Sequence, residues 1–209
     1  MRRTSQLAVG LVLYAVSMAV LVDSGLGNMP WDVLSEGVAA RTGATFGTVT
    51  LAVSALVLAC WIPLRQRPGV GTVANVLVIG LLVDPFLRLL DAAGDQPLAA
   101  RLAMAACGIA LNALATALYV GAGLGPGPRD GLMTGLVART GRPVALVRTG
   151  IEVVVVVTGI ALGGTFGVAT VAYALLVGPL VHVLLPRLTV RDVPDAASPA
   201  LQPGAAAAR

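Results

Sequence analysis

Apolar residues run along this chain in six stretches, roughly 6–23, 46–63, 69–87, 102–121, 146–162 and 165–185, parted by short segments rich in Gly, Pro and Arg. Each stretch approaches or exceeds the length a helix needs to cross about 30 Å of hydrocarbon, so the pattern predicts about six transmembrane helices and no strands. Two intervening segments stand apart. "GLGNMPWDVLSEGVAARTG" (25–43) and "GLGPGPRDGLMTGLVARTG" (123–141) agree at 11 of 19 positions, 98 residues apart.

The same offset carries the agreement along the whole chain. Residues 3–87 and 101–185 share 32 identities in 85 without a gap, against roughly one in ten to one in eight expected from composition alone. The chain is therefore a duplication, 1–98 and 99–188, followed by an Ala/Pro-rich stretch, 189–209, expected to be a disordered cytoplasmic tail. The basic and then apolar start has the order of a secretory signal. Because it has an internal copy at 101–120, it is expected to stay as a helix.

Within each repeated phrase the residues spell a helix that stops and restarts. Gly25, Gly27, Gly123 and Gly125 tolerate backbone conformations that other residues avoid, and Pro30 and Pro128 suit a first helical turn. Asp32 and Asp130 lie near the unpaired N–H groups of that turn, and "ARTG" supplies a last-turn Arg and a capping Gly. The predicted helices, 30–42 and 128–140, span about 20 Å at 1.5 Å per residue, short of a crossing. They are read as re-entrant or interfacial.

Charge decides how the halves face. All 14 basic residues are arginine. In the first half they precede the first apolar run (Arg2, Arg3), thin to Arg41 around the short helix, and return at Arg65 and Arg67. The second half reverses this: Arg101 alone, then Arg129, Arg139, Arg142 and Arg148, then none in "GGTF", then Arg187 and Arg191. Equivalent loops of opposite bias are what the positive-inside rule produces when two copies are inserted in opposite senses. The expected architecture is an all-α, 3+3 inverted repeat with both termini cytoplasmic.

With 57% hydrophobic and 11% charged residues, the lipid bilayer is the first partner, and the scattered arginines do not form a nucleic-acid surface. "GAGLGPGP" is not a dinucleotide loop, because Pro30 and Pro128 stand where the third glycine of GxGxxG belongs. Cys60 and Cys107 lie in apolar runs without metal-ligand spacing, and a single His with no nucleophile beside it gives no enzyme signature. Neither a cofactor nor a metal is expected.

Irregular backbone at membrane depth survives where it lines a cavity, and in transporters paired broken helices build the substrate site. Trp31, Asp32, Arg129 and Asp130, with the Gly and Pro positions named above, are thus the expected substrate-binding or gating residues. Simple capping by the two aspartates is the competing reading. Asp84 and His182 occupy equivalent positions and are a candidate proton-coupling pair, against a reading in which both face headgroups. Arg148 and Glu152 are spaced as an i,i+4 pair.

"GLGNMPWDVL", the "FG" before the second apolar run and "GLGPGPRDGLMTGL" together resemble the YczE/YyaS/YitT family of bacterial integral membrane proteins, most closely its YczE-like branch, over about residues 5–188. The resemblance implies a multi-spanning protein of the bacterial inner membrane and brings no established catalytic residues. On the residues themselves, the expected function is a small transporter or permease for an unidentified small molecule or ion. The alternative is a non-transporting membrane accessory or assembly protein that binds a partner through its cytoplasmic face, where Arg129, Arg139, Arg142 and Arg148 would contact that partner or anionic headgroups. A protein partner or a homo-oligomer fits either reading.

Overall fold

A computed structural model describes residues 2–91 and 96–190 of the chain. Among them are eight α-helices and no strands: α1 (Arg2–Ser24), α2 (Pro30–Thr42), α3 (Phe46–Leu64), α4 (Val70–Asp91), α5 (Leu98–Gly121), α6 (Pro128–Thr140), α7 (Val144–Leu162) and α8 (Val168–Leu188). Six of these, all but α2 and α6, are long and apolar enough to cross a membrane. The expected tail falls almost wholly outside the described residues. Large apolar side chains such as Leu56, Leu81, Val154 and Leu175 are left facing outward, as lipid-facing surfaces require.

The short helices begin and end where their sequences dictate. Pro30 and Pro128 open them, and Gly43 (φ 72°) and Gly141 (φ 66°) close them in left-handed caps. The preceding breaks are left-handed too, with Gly27 at φ 114° and Gly125 at φ 127°. A side chain on Gly27 would also strike Gly167 and Thr170, and one on Gly125 would strike Gly69 and Thr72. Both breaks therefore need glycine for space as well as for conformation.

Those two collisions are the same contact written twice, since Gly69 and Thr72 lie 98 positions before Gly167 and Thr170. Other contacts obey the same exchange. The Gly71 amide donates to the Leu124 carbonyl at 2.8 Å, and the Ala169 amide to the Leu26 carbonyl at 3.0 Å. Arg139 Nη1 donates to the Pro63 carbonyl and Arg41 Nε to the Leu162 carbonyl, so α6 lies against the end of α3 and α2 against the end of α7. Each short helix thus packs on a long helix of the other half.

Between the halves, α1 and α5 run antiparallel. Gln6 near the start of α1 donates to Leu118 near the end of α5, while Arg101 near the start of α5 donates to Ser24 at the end of α1. Gly10 gives the backbone at Tyr119 room to approach, and Gly108 leaves room for the Leu21 side chain. Buried Asn112 anchors the middle, donating to Ser17 Oγ at 2.9 Å and accepting from Tyr173 at 2.8 Å. Around this pair α1 packs on α4 and α5 on α8.

The exchange breaks down in size at one place. Trp61 of α3 is buried against Gly131 of α6, whereas at the equivalent contact Gly159 of α7 receives Val33 of α2. At the first contact an indole ring fills the space beside glycine, and at the second the Val33 backbone does. The indole Nε1 also donates to the Pro128 carbonyl at 3.0 Å, which fixes the first turn of α6.

Candidate functional site

The breaks bring the first turns of α2 and α6 together in the middle of the bundle. Arg129 Nη2 lies 3.1 Å from Asp32 Oδ1, and the guanidinium carbon sits 5.3 Å from the centre of the Trp31 ring. Three of the four side chains expected at the site thus form one unit, an ion pair with a cation–π contact. Asp32 is 1% exposed, and its second oxygen, Oδ2, has no hydrogen-bond partner among the described residues. It spans between the two short helices and does not cap its own. Burial raises the pKa of its carboxyl, and the opposing pull of Arg129 is the smaller influence.

Asp130 stands differently. Its carboxylate is exposed, accepts from Tyr119 Oη at 3.2 Å and from the Gly127 amide, and forms no ion pair within the described residues. The bond to Gly127 is the reach of a third helical residue back to the N-cap. The Tyr119 ring meets Tyr14 edge-on, with centroids 6.0 Å apart.

These groups wall a cavity of about 440 Å³ to which all eight helices contribute. Near its centre it is lined by equivalent residues of both halves, among them Trp31 with Arg129, Asn75 with Tyr173, and Ile79 with Val177. Beyond the centre it follows one half only. Val181, His182 and Leu185 of α8 line it, while their equivalents Val83, Asp84 and Leu87 do not, and Val83 is fully buried. The lining between α7 and α8 includes the Arg148–Glu152 pair (3.0 Å) and Gly178, which has open space beside it. Helices α3 and α4 pack closely, and α7 and α8 have no comparable contact.

Other expected residues have separate roles. Asp84 accepts from the Gly47 amide at 2.7 Å near the start of α3, and no ion pair or hydrogen bond joins it to His182 among the described residues. Glu36, not singled out from the sequence, binds the α7–α8 loop, accepting from the Thr165 amide (2.6 Å) and hydroxyl (2.9 Å) and from Asn28 Nδ2 (2.8 Å). Of the three tyrosines of the cavity, Tyr14 and Tyr173 stand out in the sequence as polar residues within apolar runs, equivalent to Asn112 and Asn75. Tyr119 stands opposite Leu21 in the repeat and carries no pattern to mark it. Among the described residues no group of three or more His, Cys, Asp or Glu could hold a metal ion, and Cys60 and Cys107 are exposed and unpaired.

A family profile described as "Family of unknown function (DUF6198)" matches residues 1–186. Among individual proteins, an uncharacterized protein of Haemophilus influenzae is 37% identical over 182 residues, covering 85% of this chain and 83% of that one. The uncharacterized membrane protein YczE of Bacillus subtilis is 29% identical over 85% of this chain and 83% of its own, and YyaS of the same bacterium 26% over 85% and 90%. No solved structure matches. The YczE- and YyaS-like resemblance carried by the repeated phrase is thereby shown.

Proposed function

The chain belongs to the DUF6198 family, and from its geometry we propose that it is a small transporter of the bacterial inner membrane. Its substrate site lies between two halves inserted in opposite senses. The cavity carries this reading, because it is built by equivalent residues at the centre and extends along one half alone. A site on a pseudo-two-fold axis with access on one side is what one state of an alternating-access cycle requires.

Three further observations support it. Equivalent helices α1 and α5 run antiparallel, as they must if the halves face opposite ways. Helices α2 and α6 meet at their first turns and end against α7 and α3, as two helices re-entering from opposite faces would. Arginine accumulates at the end of the bundle that holds Arg2, Arg65, Arg142 and Arg187, so the positive-inside rule makes that end cytoplasmic, with both termini. The cavity follows α8 toward this end, which makes the state inward-facing, and the Glu36 bonds close α2 over the opposite end.

In the working cycle Asp32 carries a proton. A carboxyl with a raised pKa, one unbonded oxygen and a guanidinium on the other can gain and lose a proton as the short helices part. Arg129 and Trp31 then act as the moving contact between the halves. The accessory reading has less to stand on, since Arg129 faces Asp32, Arg139 binds the Pro63 carbonyl and Arg148 binds Glu152.

Cysteines placed at Thr42 and Thr140, on a chain freed of Cys60 and Cys107, test the arrangement. Impermeant maleimide should label Thr42→Cys from outside intact cells and Thr140→Cys only from the cytoplasmic side. Labelling of both from one side would remove the inverted arrangement and with it the two-sided site.

A further inference from the structure

Charge in the cavity is not balanced. Arg129 is matched by Asp32 and Arg148 by Glu152, each at about ion-pair distance. His182 lines the wall without an ion pair among the described residues. That leaves the Asp130 carboxylate, which has a hydroxyl and an amide as hydrogen-bond partners, feels Arg148 and Arg129 only at longer range, and forms no ion pair among the described residues. A carboxylate that opens onto a cavity in a membrane bundle without an ion pair of its own suits water or a visiting counter-charge.

What surrounds it suits a particular visitor. Tyr119, hydrogen-bonded to Asp130, and Tyr14 present an aromatic corner, with Trp31 lining the same space. Aromatic faces attract cations through their quadrupole, and more strongly where water is excluded. Met29, Ile79, Met133 and Val177 add apolar wall beside the polar Asn75, Thr116 and Tyr173. The volume, about 440 Å³, falls in the range of pockets for small organic ligands. A bare divalent ion would need several oxygen ligands at about 2.3–2.6 Å, and Asp130 has no second carboxylate grouped with it for that purpose.

We propose that the cavity binds an organic cation, an amine or quaternary ammonium group seated on the Asp130 carboxylate with its apolar body against Tyr14, Tyr119 and the wall beyond. The proposal deepens the transporter reading and rests on the same cavity. Arg129 stays tied to Asp32 in the bound state and is not a ligand for the substrate.

Binding to the purified full chain in lipid nanodiscs tests it, read by thermal shift and tryptophan fluorescence. The probes are tetramethylammonium, phenethylammonium and benzyltrimethylammonium, with phenylacetate as the size-matched anion. Saturable binding of at least one cation, lost about tenfold or more in Asp130→Asn and largely kept in Asp130→Glu, is expected. Should Asp130→Asn fail to yield monodisperse protein, Tyr119→Phe, which removes only the hydroxyl, should keep cation binding, and Tyr119→Ala should weaken it. No cation binding up to about 10 mM, or binding of phenylacetate in preference, overturns the assignment. Cation binding without uptake into proteoliposomes would overturn transport and leave the site, whereas uptake of an anion alone would do the reverse.

Discussion

Arg129 on α6 reaches across the centre of the bundle to Asp32 on α2, 3.1 Å away, and in doing so covers Trp31, the residue that stands at its own equivalent position in the other half. Removing the arginine strands a buried carboxylate. Arg129→Gln is expected to lower the unfolding free energy by roughly 3–5 kcal/mol, as truncated buried pairs do. Replacing both residues by Leu should recover most of that loss. Reversible denaturation in detergent, run on all three variants, measures it. Arg129→Lys should restore little, because a point charge cannot bind Asp32 and cover Trp31 together.

The loss in Arg129→Gln should depend on pH in a definite direction. Burial raises the Asp32 pKa, and Arg129 is the group that pulls it back. Without Arg129 it rises further, and a group with a raised folded-state pKa contributes stability at low pH that disappears as pH rises through that value. The variant should therefore lie nearest the parent at about pH 5 and farthest at about pH 8. A gap that widens on acidification would contradict burial of the carboxylate.

Glu36 ties α2 to the loop between α7 and α8 through both its oxygens. Hydrogen bonds to a charged group contribute about 1.5–3 kcal/mol each, so Glu36→Gln should loosen that end markedly. Met29, 1% exposed and just before α2, is the reporter. On a background without Cys60 and Cys107, Met29→Cys should react with maleimide at least about tenfold faster when Glu36 is Gln. Equal rates would show that the carboxylate does not hold that end of the bundle closed.

Gly131 has no room for a methyl group beneath the Trp61 ring. Gly131→Ala should destabilise by about 1–3 kcal/mol through overpacking and displace the Pro128 carbonyl from the indole N–H. Trp61→Phe in the same chain should relieve part of the strain, and thermal unfolding of the single and double variants reports the coupling.

The local chemistry of the repeated phrase was legible residue by residue. Proline at the first turn, glycine at the cap and the Gly-x-Gly break fixed the bounds of α2 and α6 at 30–42 and 128–140, where the structure has them. The six apolar runs became the six long helices because lipid enforces length and composition. Partners were harder to read. Asp32 and Arg129 are 97 positions apart, and only the folded halves decide that one aspartate is paired and the other is not. Equivalence also misled, for Asp84 and His182 share a register and go to different work, one at the Gly47 amide and one in the cavity wall.

Antiparallel packing of α1 on α5 has a consequence for ancestry. Gly10 accommodates the backbone at Tyr119 as Gly108 accommodates Leu21, so each half carries both sides of the joint and could have met an identical copy of itself. Two identical chains must change a position in both places at once. Two distinct halves are free of that restriction, and the pairs in which Trp31 answers Arg129, Gly159 answers Trp61 and Thr134 answers Glu36 are differences between them of that kind.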